Sequence, residues 1–400
     1  MEKCKLKDVS YLFAGYPFDG HLYDSEGIRV VRGDNVTIGN LRWDIDKRWN
    51  QPFKEAETYS LRDGDIVIGM DGSRVGRNRA MVAERDLPLY LAQRVACVRN
   101  NPKSYQKFLY YSIFDNRFEK YVNKIFTGTS IPHISLEQLG EYSFLIPELD
   151  KQIKIGDLLF LLDQKISLND RINAGLETMA KQLYDYWFVQ FDFPDENGKP
   201  YKSSGGKMVY NSTLKREIPV GWEVKPLREL LILEDSRRIP LSNKERENRK
   251  GIYPYYGATG IMDYIDDYIF DGDFILLAED GSTSDENGNP VVQYIWGKNW
   301  VNNHAHIIHV SDDSHLQYYY FLLKTIPVVL IETGSIQKKI SQENLLSYSV
   351  PIPSNDLIKS YSRISSSYRE KQKSLIDETI YLTHLRDSLL PMLMNGQVTV

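Results

Sequence analysis

TGTSIPHIS, from Thr127 to Ser135, is answered about 206 residues later by TGSIQKKIS, from Thr333 to Ser341. The echo continues on both sides. LEQL at Leu136 to Leu139 returns as QENL at Gln342 to Leu345, and the FLIP ending at Pro147 returns as the VPIP ending at Pro353. Upstream, DGDIVIGMDGS at Asp63 to Ser73 has a counterpart in DGDFILLAEDGS at Asp271 to Ser282, and KLKDV at Lys5 matches PLREL at Pro226. Each Asp-Gly-led run is apolar, of strand length and left by Gly-Ser, which reads as a buried strand between turns. A repeat of this size decides the architecture before any single element does. The chain reads as two copies of one domain.

After each of those prolines the pattern turns helical. Ile155, Leu158, Leu162, Lys165, Asn169, Ile172, Leu176, Met179, Leu183 and Tyr186 follow alternating steps of three and four. The same steps in the second half fall on Tyr361, Ile364, Tyr368, Lys371, Leu375, Glu378, Leu382, Leu385, Leu389 and Met392. Such a seam belongs to a helix packed lengthwise on another. Two helices of about 40 residues, each roughly 60 Å long at 1.5 Å per residue, need cover for their apolar stripes. The expected solution is that they lie antiparallel on each other and make the molecule pseudo-twofold. Pro194 is expected to end the first helix, and Pro391 with Gly396 to close the second. Gly175 interrupts the first at a cost near 1 kcal/mol.

The expected fold class is therefore α+β: two similar mixed α/β domains separated by two long, antiparallel, coiled-coil-like helices. The expected spans are 1–147 for the first domain, 148–192 for the first helix, 193–220 for an exposed connector rich in Gly, Lys, Ser and Asn, 221–353 for the second domain and 354–396 for the second helix.

Bulk composition fits. With 42% hydrophobic and 26% charged residues among 400, the chain is of the folded, soluble kind and long enough for two cores. No run approaches the ~18 apolar residues of a membrane span, and MEKCKLKDVS lacks the apolar core of a secretion signal. Cys4 and Cys97 are the only cysteines, which excludes a disulfide framework and a Cys-rich zinc site. A cytoplasmic location is expected. The formal net charge of −5 argues mildly against a nucleic-acid partner, although phosphates respond to the local field, not to the total.

The connector FDFPDENGKPY followed by IPVGW, the paired TG…IS segments, and helices ending in LYDYWF and LRDSLLPMLMNG together resemble the specificity subunits of type I restriction–modification systems, over nearly the whole chain. The resemblance implies two target recognition domains, each reading one half of a split double-stranded DNA sequence. It implies helices that space the half-sites and dock two DNA-methyltransferase subunits, a complex that motor-nuclease subunits can join. It implies no catalytic centre, cofactor or metal of the chain's own, because S-adenosylmethionine and ATP belong to the partners. Since the repeats differ in sequence, the target should be asymmetric and interrupted.

Base readout needs directional donors and acceptors, and phosphate contact needs cations, hydroxyls or amides. GSRVGRNR at Gly72 to Arg79 offers Arg74, Arg77, Asn78 and Arg79 just past a strand, with a solvated turn as the plain alternative. YPYYGATG at Tyr253 to Gly260 reads as a turn carrying Tyr255, Tyr256 and Thr259, or as a self-packed surface loop. The paired TG loops are the leading candidates: Thr127, Thr129, Ser130 and His133 in one, and Thr333, Ser335, Gln337, Lys338 and Lys339 in the other. Their plain alternative is a turn placing the next helix, with Ser135 and Ser341 as N-caps. Arg237, Arg238, Lys244, Arg246, Arg249 and Lys250 form a basic cluster that reads as a solvated loop or a phosphate contact.

Three patterns imitate catalysis. NHAHIIH puts His304 and His306 on one side of a strand and His309 on the other, with no third metal ligand evident in sequence. Asp195 with Glu223 and Lys225 mimics a nuclease signature but straddles a domain boundary. Asn289-Pro290 lacks the second proline and the aromatic ring of an amino-methyltransferase motif.

Overall fold

The structure is a computed structural model, and it describes residues 1–125, 132–334 and 338–398. The chain divides into two compact units, Met1–Asp170 with Ile376–Val400, and Arg171–Leu375. Both are mixed α/β.

In the first unit, the buried run Ile66–Gly69 is the middle strand of a five-stranded sheet. Its order is Ser10–Ala14, Val95–Asn100, Ile66–Gly69, Arg79–Met81 and Ile38–Gly39. The pairs are antiparallel except the last. One face of the sheet packs against helices Gln106–Phe114 and Asn116–Ile125 through Ile66, Ile68, Phe108 and Phe118. The other face closes a smaller core of Val31, Val67, Leu89 and Cys97. In the second unit, Phe274–Ala278, buried throughout, plays the same part between Ala305–His309 and Val292–Ile295. There Ile275, Leu277, Ile308, Tyr318 and Phe321 share a core that includes helix Leu316–Lys324.

The repeat also survives as hydrogen-bond pattern. Glu2–Lys5 pairs antiparallel with Ser143–Ile146, and Glu223–Pro226 pairs in the same way with Ser349–Ile352. The Ser135 hydroxyl accepts from the Gln138 amide at 3.1 Å, and the Ser341 hydroxyl accepts from the Asn344 amide at 3.2 Å. Both are the expected N-caps.

The long helices span Leu149–Tyr184 and Asn355–Met394. Within the first unit, Arg386 pairs with Asp163 at 2.8 Å, while Lys165 and the Asn169 side-chain amide reach Glu378 at 3.0 and 2.8 Å. Within the second, Arg369 pairs with Glu177 at 3.2 Å, the Gln372 side chain donates to the Asn173 carbonyl, and the Tyr361 hydroxyl donates to the Ala180 carbonyl. In each unit one helix's numbers rise as the other's fall, so the segments run antiparallel.

The facing positions differ from the expected seam. Ile172, Met179 and Tyr186 are exposed, whereas Asn173, Glu177, Ala180 and Tyr184 face inward. On the second helix Arg369 and Gln372 are buried and Lys371 is not. The cause is geometric. A strict seven-residue repeat drifts by about 20° per heptad on a straight α-helix, so over about five heptads the facing side moves on by roughly one residue.

Helix ends also differ from expectation. Pro391 lies inside the second helix, and the turn that closes this helix is at Gly396, in the left-handed region at φ +72°. The first helix widens into a π turn at Asp185–Val189 and stops before Pro194 is reached. The connector is ordered: Phe193 stacks on Tyr201 and on Trp222 at ring-centre distances of 4.7 and 5.7 Å, and Met208–Asn211 pairs with Arg216–Pro219. Among the described residues no helix is long and apolar enough to cross a membrane.

The two glycines of the first long helix should behave oppositely. A Cβ on Gly156 would stand 2.9 Å from the Phe108 amide nitrogen, whereas one on Gly175 meets nothing within 4 Å. Gly156→Ala should therefore lower stability by roughly 1–3 kcal/mol through overpacking. Gly175→Ala should raise it by up to about 1 kcal/mol. Denaturant titration of each variant reads the difference, and equal midpoints would refute the close approach at Gly156.

Candidate nucleic-acid interface

Where strand Ile66–Gly69 runs out, Asp71-Gly72-Ser73 turns the chain, with Gly72 at φ +95°, a conformation only glycine takes freely. The returning segment Pro132–Ile134 lies on that turn. The Gly72 amide donates to the Pro132 carbonyl at 3.0 Å, and the Ile134 amide donates to the Met70 carbonyl at 2.9 Å. Residue 133 is thereby held beside Asp71, whose carboxylate bonds the His133 ring and the Arg94 guanidinium. Burial by itself would raise the Asp71 carboxyl, but the His133 and Arg94 contacts outweigh it and hold the group below the usual carboxylate value. Arg94 arrives from the turn between Leu89–Leu91 and Val95–Asn100, at φ +68°.

These elements rim a cleft of about 750 Å³ lined by Arg32, Arg42, Arg74, Asn78, Gln93 and Arg94 among others. Among the described residues Asn78 Oδ1 has no partner. Arginine, glutamine and asparagine side chains around one cleft offer both phosphate attraction and base-edge hydrogen bonding.

The second unit repeats the junction with other side chains. Strand Phe274–Ala278 ends at Glu279-Asp280-Gly281, with Gly281 at φ +75°. The Ile340 amide donates to the Glu279 carbonyl at 2.8 Å, and Lys339 stands where His133 stands in the first unit. Glu279 pairs with Lys339 at 2.9 Å and with Arg238 at 2.7 Å, while Asp280 bonds the His304 ring at 2.7 Å. Behind them the His306 ring is buried. Its Nε2 donates to the Ile340 carbonyl at 2.8 Å, and its Nδ1 meets the Asp235 carboxylate at 2.6 Å. Burial tends to raise both Asp235 and Glu279. Contacts with His306 for the former, and with Arg238 and Lys339 for the latter, bring each below its usual value.

Asp235 and Glu279 thus supply the further ligand atoms for His306 that sequence did not reveal, all within 4.8 Å of one another. Both ring nitrogens are already engaged, and Arg238 and Lys339 already balance the carboxylates. The cluster anchors the returning loop and offers no free ligand atom on His306.

Of the residues singled out in sequence, Arg74 is exposed on the cleft, and Asn78 lines it half-buried. Arg77 is exposed and paired with Glu119. Arg79 is a correction. It is buried, its guanidinium donating to the Gly76 and Phe114 carbonyls and stacking on Phe114 at 4.8 Å. It closes the core and is not available to DNA. Thr127, Thr129, Ser130, Ser335 and Gln337 lie outside the described residues. Thr333, Lys338 and Lys339 are exposed, with Lys338 paired to Glu332.

YPYYGATG is not a turn as a whole. Strand Lys250–Tyr256 runs into it, and only Gly257–Gly260 turns. Tyr255 is consequently a core residue, its hydroxyl accepting from the Leu241 amide; Tyr256 is half-buried and Thr259 is exposed. The basic cluster is largely paired: Arg237 with Glu234, Arg238 with Glu279, Arg246 and Lys250 with Asp263, and Arg249 with Asp266. The nuclease-like Asp195 receives the Asn197 and Lys199 amides in its own turn, and Glu223 pairs with Lys225. Sequence reasoning missed Arg32, Arg42, Gln93 and Arg94. The one local signal was AQR between two apolar strands.

The profile of the family described as "Type I restriction modification DNA specificity domain" matches residues 1–178 and 219–359. A Haemophilus influenzae chain named for the type I restriction enzyme specificity subunits is 34% identical over 148 residues, covering 36% of this chain and 37% of that one. The type I restriction enzyme MjaIX specificity subunit of Methanocaldococcus jannaschii is 27% identical over 316 residues, 74% of this chain and 69% of its own. The crystal structure of a type I restriction–modification S subunit from M. genitalium shares the fold, with a TM-score of 0.63 at 17% identity over 98% of this chain and 96% of that one.

Two arginines five residues apart should separate structure from surface. Arg79→Met should cost roughly 2–3 kcal/mol, since two buried carbonyls lose a charged donor. Arg74→Ala should stay within about 0.5 kcal/mol of the parent. Chemical denaturation measures both, and an unaffected Arg79→Met protein would return Arg79 to the candidate surface.

Proposed function

We propose that this chain, which belongs to the type I restriction–modification DNA specificity family, reads double-stranded DNA in two unlike halves, one per unit. The observation that carries the reading is the twice-built junction at Met70-Asp71 and Glu279-Asp280. The backbone contact is the same, yet the side chains it presents differ: His133, Arg94, Arg74, Gln93 and Asn78 in one unit, Lys339, Lys338 and Thr333 in the other, with Thr259 on a separate turn. Different donors around a shared backbone junction, with His133 and Lys339 at the matching place, meet different base edges, so the two half-sites should differ and the target should be asymmetric.

The family's specificity subunits recognise DNA and do not catalyse, and on this reading methyl transfer and cleavage belong to partners. Two DNA-methyltransferase subunits, with motor-nuclease subunits joining them, bring S-adenosylmethionine and ATP. The first long helix exposes Leu161 and Leu168 in one unit and Ile172 and Met179 in the other. Apolar side chains left facing solvent on a helix are the kind of surface that a partner covers, and we assign the methyltransferase contact to them. The long helices on this reading also set the gap between half-sites.

Selection from randomised duplex, with the chain alone and with its methyltransferase, tests the reading. An interrupted, asymmetric sequence should emerge, and absence of any selected sequence would overturn it. Inserting about one helical turn, four residues, into the first long helix should change the gap and leave both half-site sequences intact. Altered half-site sequences would sink the spacer role. Leu161→Glu with Met179→Glu should weaken co-purification of the methyltransferase at least tenfold, each charge facing an apolar contact, without altering which bases are selected.

A further inference from the structure

We propose that Asp71 and Glu279 hold the reading cations of their units in internal ion pairs, so that bare phosphate attraction is muted and discrimination between the target and other DNA is sharpened. This rests on the DNA-reading assignment above and adds a specificity-determining role for two acids that would not themselves touch a base.

Both acids stand at the end of the repeated buried strand, beside the point where the returning loop is bonded to it. Both face a cation on the candidate surface: Arg94 for Asp71 at 2.5 Å, and Lys339 for Glu279 at 2.9 Å. Exposure is unequal within each pair. The Arg94 side chain is 68% exposed and the Asp71 side chain 17%; for Lys339 and Glu279 the figures are 52% and 12%. The acid is therefore the fixed member, further held by His133 in one unit and by Arg238 in the other. The cation is the member free to swing.

Non-specific binding draws its free energy from cations that displace counterions at phosphates. A cation already neutralised by a fixed carboxylate has less to gain from any phosphate, so each pair removes about one effective contact from the non-specific complex. Arg94 and Lys339 keep further N–H donors beyond those turned to the carboxylate, so a matched base edge can be met with the pair still in place and the specific complex gives up no ion pair. Arg77 with Glu119 and Lys338 with Glu332 follow the same pattern.

A double-mutant cycle on the full chain with its methyltransferase subunits decides the matter. The probes are the duplex that the parent selects and an unrelated duplex of equal length. Glu279→Gln should bind the unrelated duplex about three- to tenfold more tightly near 0.1 M salt, and its log affinity should fall more steeply with log salt by about one unit. Discrimination should fall by the same factor. In a Lys339→Gln background the Glu279→Gln effect should vanish. Asp71→Asn with Arg94→Gln repeats the cycle independently in the first unit. If Glu279→Gln and Asp71→Asn weaken binding to both duplexes, or act equally without their cations, the acids serve structure alone and the proposal is overturned. If the parent selects no sequence, it is the DNA-reading premise that fails instead.

Discussion

One backbone hydrogen bond, made twice, is the constraint on which the candidate surfaces depend: Ile134 to the Met70 carbonyl, and Ile340 to the Glu279 carbonyl. Both isoleucines are fully buried. Each return of the loop is therefore pinned by an apolar anchor and by a polar bond that cannot be left unmade in the interior. Pinning residue 134 fixes residue 133 at the rim and delivers Ser135 as the cap of the next helix. The same holds for Ile340, with Lys339 before it and Ser341 after it. The loop can differ in sequence because what locates it is backbone and burial.

This explains which parts of the molecule were legible in sequence. The buried strands, the N-caps and the two long helices each have a local signature: an apolar run between turn residues, a serine ahead of a helical pattern, a sustained three-and-four periodicity. The inward face of the helices was misplaced because a strict coiled-coil period was imposed along the whole length of each helix. Asn173 and Gln372, not Ile172 and Lys371, accordingly face inward. Arg79 and Tyr255 looked like surface groups because loop-like neighbours surround them. Their burial is decided by the Phe114 and Leu241 segments, which local composition does not reveal.

Arg94 was missed for the opposite reason. It takes a left-handed conformation without being Gly, Asn or Asp, so no turn residue marks its place. Its role is visible only once Asp71, from another strand, is beside it. Net charge misled in a similar way. The −5 total counts acids and bases separately, whereas in the folded chain exposed cations at the candidate surfaces stand against fixed carboxylates. What such a surface offers to DNA depends on how strongly each cation is held, and formal charge carries no information about that.

Polar groups lie along the helix pairing beside buried apolar ones such as Ala180 and Tyr361. Asp163, Lys165 and Asn169 meet Arg386 and Glu378 in the first unit, and Glu177 meets Arg369 in the second. Charged and amide groups between helices stabilise less than leucine would, because desolvation offsets most of the attraction. What they add is register. An apolar seam tolerates a slip of one heptad, since leucine meets leucine again; a slip here would leave the buried Arg369 without the Glu177 carboxylate. A helix pair meant only to stabilise a core would have no use for that cost. One whose register must be single-valued would, and in each unit the helix segments carry this mark while the loops above them are free to vary in sequence.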